Sequence, residues 1–158
     1  MPKALLYAAG FATAAAAPAL ALTVTKSTEI PAAPAKVWAA VGDFCGIADW
    51  HPAIAKCELS SKNGRPIRTL TLKDGGVLVE ELIKRDDKAM AYSYAILESP
   101  LPVAAYRSTI EVKPKGSGSL LTWTGTFKKA RGSDNAKAQD SIAGIYDAGL
   151  KGVADKAK

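Results

Sequence analysis

Between Leu22 and Lys129 the chain repeats one theme: a run that alternates apolar and polar residues, then a tight turn. The turns are Lys62-Asn63-Gly64, Asp74-Gly75-Gly76 and Asp86-Asp87-Lys88, and Asn-Gly is the dipeptide best suited to a two-residue hairpin. Connections this short leave no room for a crossover, so successive strands must run antiparallel. Alternation predicts strands over Leu22–Ile30, Ile54–Ser61, Arg65–Lys73, Val77–Arg85, Met90–Leu97, Val103–Val112 and Leu120–Lys129. Ser99-Pro100-Leu101-Pro102 reads as a loop stiffened by two prolines, and Pro114 to Ser119 as a flexible turn.

Two other segments carry a helical period. After Pro31 and Pro34, the residues Val37, Trp38 and Val41 mark one apolar face of a short helix, and Gly46–Trp50 suits a second one, stopped by Pro52. Asn135–Lys156 is the long one. Ile142, Ile145, Tyr146, Gly149, Leu150 and Val153 recur in steps of three and four, and Asp134 or Asn135 can cap the start. Gly144, Gly149 and Gly152 each cost about 1 kcal/mol relative to Ala inside a helix. Either the helix frays, or the glycines thin one face so that a sheet or a bound molecule comes close; the second reading is preferred. The expected class is α+β: a curved antiparallel sheet of about seven strands around a long C-terminal helix, with two short helices after the first strand. Residues 22–158 read as a single domain.

The chain of 158 residues carries a formal net charge of +6 and a pI of about 9.3. That balance suits an acidic protein partner, an anionic ligand or a membrane surface. The lysines are scattered, with no basic stripe interleaved with aromatics, so nucleic acid is not expected. At the N-terminus Lys3, the uncharged alanine-rich run Ala4–Ala17, Pro18 and Ala19-Leu20-Ala21 have the pattern of a cleaved secretory leader over residues 1–21. The alternative is a membrane anchor; the run is short, mostly alanine and broken by proline, and stable membrane insertion is not expected. The expected location is the periplasm. In an oxidising compartment Cys45 and Cys57 either form a disulfide or remain two buried thiols. With one histidine and no CxxC spacing, neither a metal nor a cofactor is expected.

Strand phase nominates an inward face, which would line any cavity beneath the long helix. Arg68, Glu80, Tyr92, Tyr94, Tyr106 and Trp123 fall on faces that can look toward the long helix, with Trp50 and His51 at the expected mouth. Glu80 shares its phase with Leu78 and Leu82, whereas Glu81 points the other way. An inward glutamate needs a partner, and Arg68 on the preceding strand is the natural one. Such a pair can polarise a carbonyl or shuttle a proton; at the rim it would be a weak ion pair instead. There is no Ser/His/Asp set and no phosphate loop, so no catalytic residue is assigned and a non-enzymatic role is favoured.

The pattern Ile30-x-x-x-Pro34-x-x-Val37-Trp38, followed by Asp43-Phe44 and Trp50-His51-Pro52, resembles the opening of the SRPBCC superfamily, which includes START-like domains and the polyketide cyclase/dehydrase family. The resemblance implies a helix-grip fold with a ligand cavity. More narrowly, Arg68–Gly76, Val79–Leu82, Ser99–Val103 with Tyr106, and Gly144–Leu150 are similar to periplasmic methanol-oxidation accessory proteins of the MxaD type. That similarity implies a helper of electron transfer from methanol dehydrogenase to its cytochrome c, binding those proteins and a small apolar ligand. Cys45 and Cys57 stand outside that pattern. The competing expectation is a cavity-based carrier, or cyclase-like enzyme, for a lipid or polyketide-like molecule.

Overall fold

A computed structural model describes residues 20–158 of the protein. The leader expected over residues 1–21 lies, apart from Leu20 and Ala21, outside the described residues. The elements follow the order β1 (Leu22–Ile30), α1 (Pro34–Val41), α2 (Ile47–Trp50), β2 (Ile54–Lys62), β3 (Arg65–Leu72), β4 (Val77–Asp86), β5 (Ala91–Glu98), β6 (Val103–Lys115), β7 (Gly118–Lys129) and α3 (Asn135–Lys156). One antiparallel sheet contains all seven strands in the order β1-β7-β6-β5-β4-β3-β2. This is the expected α+β helix-grip arrangement, with the sheet curving around α3.

The hairpins form where the turn residues allow. Asn63 and Gly64 take φ of 53° and 76°, the left-handed pair that a two-residue hairpin needs. The turn expected over Pro114–Ser119 is shorter than its composition suggested, because β6 continues to Lys115 and β7 begins at Gly118. Gly116, at φ 57°, and Ser117 make the reversal, and Lys115 and Gly118 on either side pair as strand. Register shifts sit in β5 at Leu97, opposite the Val79–Glu80 step, in β4 between Leu82 and Lys84, and in β6 between Ala104 and Arg107. An extra residue of this kind bends a strand and re-aims its side chains.

The inner face of the sheet follows the alternation. Tyr106, Ser108, Ile110 and Val112 of β6 and Leu121, Trp123, Gly125 and Phe127 of β7 are all buried. Against them α3 lays Ala138, Ile142, Tyr146, Gly149, Leu150 and Val153. Asp134 caps α3, accepting from the Lys137 N–H at 2.7 Å. The three helix glycines divide. A Cβ on Gly149 would lie 2.5 Å from Trp123 Cζ3 and 2.9 Å from His51 Cδ2. On Gly152 it would collide with the backbone carbonyl of Trp50, whereas on Gly144 it would meet nothing within 4 Å. Close approach therefore explains Gly149 and Gly152, and nothing in the structure explains Gly144.

Candidate functional site: a cavity beneath the long helix

The strands curve away from α3 toward β3, β4 and β5, and a cavity of about 290 Å³ opens there. Its wall is aliphatic, built from residues such as Ile54, Leu70, Leu78, Ile96, Leu101 and Ile142. His51, Glu80, Tyr94, Tyr106 and Trp123 supply the polar atoms, and Asp74 and Ser141 line it as well. Of the residues nominated from sequence, those five reach the cavity. Trp50, Arg68 and Tyr92 do not line it; they stand behind the lining and hold it in place.

Arg68 and Glu80 are cross-strand neighbours in the β3–β4 register. Both are buried, at 0% and 3% relative exposure, and Arg68 Nε donates to Glu80 Oε2 at 2.6 Å. A second donor, Nη1, goes to the Phe44 carbonyl, and the guanidinium lies 4.2 Å from the Phe44 ring centroid and 4.9 Å from that of Tyr94. Burial is the largest single influence and works to lower the Arg68 pKa, but the Glu80 carboxylate together with Tyr92 and Tyr94 outweighs it, and the net shift is upward. Arg68 Nη2 and the Tyr92 hydroxyl are both buried without a hydrogen bond. Burial raises the Tyr92 pKa, and the nearby guanidinium opposes that rise.

A second polar group crosses from the sheet to the helix. Tyr106 Oη lies 2.5 Å from Tyr146 Oη, which lies 2.9 Å from Ser108 Oγ. Ser108 donates to the Thr124 carbonyl at 2.8 Å. Trp123 Nε1 is shared between Ser108 Oγ at 2.9 Å and Tyr94 Oη at 3.2 Å. The Trp123 and Tyr146 rings stack with centroids 4.4 Å apart. Gly125 makes this possible, because a side chain there would strike the Tyr146 hydroxyl. Burial raises the pKa of all three tyrosines, Tyr94 and Tyr106 well above 10 and Tyr146 to about 12, so each stays a neutral O–H donor. Tyr146 stands in the sequence among the apolar positions of the long helix and Ser108 in phase with Tyr106 and Ile110; the available signal is a polar atom in phase with an apolar face on each of two facing elements.

His51 is fixed from both sides. Its Nδ1 accepts from the Ala53 N–H at 3.2 Å, which leaves Nε2 to carry the proton and donate to the Ile145 carbonyl at 3.0 Å. Desolvation lowers its pKa, and the Arg68 charge adds to the effect against the opposing Ile145 bond. The imidazole is therefore neutral, and it ties α3 to the end of α2 rather than offering a free nitrogen. Cys45 and Cys57 are joined by a disulfide with Cα atoms 5.6 Å apart, linking the segment before α2 to β2. Among the described residues no cluster of His, Cys, Asp and Glu could hold a metal ion.

The family model for polyketide cyclase/dehydrase and lipid transport matches residues 21–158. The chain belongs to this family. XoxI from Bacillus cereus is 37% identical, with 84% of this chain and 93% of that one aligned at a TM-score of 0.78. The ZhuI aromatase/cyclase from a Streptomyces species aligns over 87% of this chain and 94% of its own at a TM-score of 0.71, but at 17% identity the likeness is one of fold. In Arabidopsis thaliana, MLP-like protein 423 is 36% identical over 69 residues, a stretch that spans 44% of that relative's length. This SRPBCC-type domain therefore combines a helix-grip fold with an aliphatic cavity whose few polar groups are clustered.

Proposed function

We propose that this family member binds a small, largely apolar molecule in the cavity beneath α3. The cavity itself carries the reading: about 290 Å³ of aliphatic space with a few convergent polar groups, at the lower end of the range of ligand pockets. Its lining is held by an ion pair and a hydroxyl network that need no ligand to be in place, so the site is preorganised. His51 has both nitrogens engaged, and Arg68, held by Glu80 and Phe44, does not line the cavity, which favours binding over acid–base turnover. The test is native mass spectrometry of freshly purified protein, together with thermal shifts against a panel of apolar compounds of about ten non-hydrogen atoms. No co-purified mass and no shift across the panel would remove the reading.

A second reading concerns where this binding is used. We infer from the phrases Arg68–Gly76, Val79–Leu82, Ser99–Val103 and Gly144–Leu150 an exported accessory of methanol oxidation, supporting electron flow from methanol dehydrogenase to cytochrome c. The net charge of +6 suits an acidic partner, through attraction that salt screens over about 8–10 Å. Electron transfer between the two proteins, measured with and without this protein at low and high salt, decides it. An unchanged rate at both salts, with no detectable complex, sinks the accessory role and leaves the cavity reading intact.

A further inference from the structure

The hydroxyl protons around the cavity can be assigned from the hydrogen bonds. Ser108 gives its one proton to the Thr124 carbonyl and accepts from Trp123, so Tyr146 must donate to Ser108. Tyr146 Oη then accepts from Tyr106. The chain therefore runs one way, Tyr106 to Tyr146 to Ser108 to Thr124, and the Tyr106 proton is committed. Tyr94 is left over. It accepts from Trp123 Nε1, and its own proton has only Tyr106 Oη as a protein acceptor, at 3.4 Å, too long for a good O–H···O bond. Glu80 mirrors this: Oε2 is held by Arg68, while Oε1 takes no hydrogen bond from any described residue. Both residues line the cavity, and they lie diagonally across neighbouring strands, with Glu80 opposite Ile96 and Tyr94 opposite Leu82 in the β4–β5 register.

We propose that Tyr94 and Glu80 together form a subsite for a neutral hydroxyl group on an otherwise apolar ligand. One hydroxyl satisfies both: its oxygen accepts from Tyr94 and its proton goes to Glu80 Oε1. A carboxylate is disfavoured, because it would place a second negative charge beside Glu80, and Arg68, the compensating cation, does not line the cavity. An ether or a plain hydrocarbon leaves the free oxygen of Glu80 buried against apolar atoms. The volume sets the size. About 290 Å³ accommodates on the order of ten non-hydrogen atoms at ~30 Å³ each, a single ring with a short chain.

This inference rests on the cavity reading, and the experiment separates the two. Four probes of matched shape are titrated by calorimetry, with tryptophan emission as a second readout: para-butylphenol, its methyl ether, butylbenzene and para-butylbenzoate. The phenol should bind about tenfold or more tighter than the ether, since only the phenol can donate to the carboxylate, and the benzoate should bind weakest. Tyr94→Phe should keep butylbenzene binding and shrink the phenol's advantage over it. Glu80→Gln should shrink the phenol's advantage over the ether; if that variant fails to fold, Tyr94→Phe and the probe series still decide. Equal binding of phenol and butylbenzene, or tightest binding of the benzoate, overturns the hydroxyl subsite while the cavity reading stands. No binding of any probe overturns both.

Discussion

The three glycines of α3 offer one substitution with three different outcomes on a single helix. Glycine to alanine inside a helix gains about 1 kcal/mol from backbone entropy and propensity. At Gly144 the new methyl meets open space, so Gly144→Ala should raise stability by about 0.5–1 kcal/mol. At Gly149 it would lie 2.5 Å from Trp123 Cζ3, 2.9 Å from His51 Cδ2 and 3.0 Å from Trp50 Cζ3. Three buried rings must shift, and overpacking of this kind costs about 1–3 kcal/mol, so the net change is a loss of up to about 2 kcal/mol. At Gly152 the obstacle is the Trp50 backbone carbonyl, which no rotamer change relieves. Gly152→Ala should therefore be the most damaging of the three, because α3 must lift away from the end of α2. Urea unfolding of the 22–158 chain, followed by tryptophan emission, measures all three against the same baseline. If Gly144→Ala destabilises, or Gly149→Ala stabilises as much as Gly144→Ala, the close-approach account of this helix is wrong.

Three further outcomes are expected. Arg68→Met or Glu80→Leu alone should cost about 3–5 kcal/mol, since each leaves one charge buried and unpaired, whereas the double substitution should recover most of it; equal losses in single and double variants would refute the pairing. Reducing the Cys45–Cys57 bond, which closes a separation of 12 residues, should lower unfolding stability by roughly 2–3 kcal/mol, measured by urea titration with and without reductant. Because folding depresses the His51 pKa, the unfolded chain binds its proton first, so the His51 contribution to stability is full above pH 6.5 and is lost as pH falls from there through the folded pKa; His51→Gln should flatten that part of the profile.

Strand phase was legible because the strands from β3 to β7 bury residues mainly on one face, whereas the edge strand β2 is largely exposed on both. Arg68, Leu70, Tyr92, Tyr94, Tyr106 and Trp123 all point inward on alternation alone, and Glu80 was separated from Glu81 by its company. What sequence could not rank was depth. Arg68 and Tyr92 share a face with Tyr94 and yet sit behind the cavity lining, because the curvature of the sheet and the position of Phe44 over the guanidinium decide which side chain reaches open space. The hydroxyl network was also invisible, since Tyr146 meets Ser108 across 38 residues and only through the room left at Gly125. The turn around Gly116 was read as long because its composition is flexible, but pairing from Lys115 to Gly118 continues up to it.

The strand order places β1 and β2, which follow one another in the chain, at opposite edges of the sheet. The curl is therefore an open roll with a seam between those edges, where α3 packs on β1, α2 packs on β2, and α2 meets α3. Widening it breaks side-chain contacts and no backbone ladder, so the roll can flex there at much lower cost than anywhere between paired strands. Beyond the main chain itself, the Cys45–Cys57 bond ties the segment before α2 to the β2 edge and works as a clasp. Entry of a molecule would then be timed by the seam, and amide exchange in 42–53, compared between clasped and reduced protein, would read that clock directly.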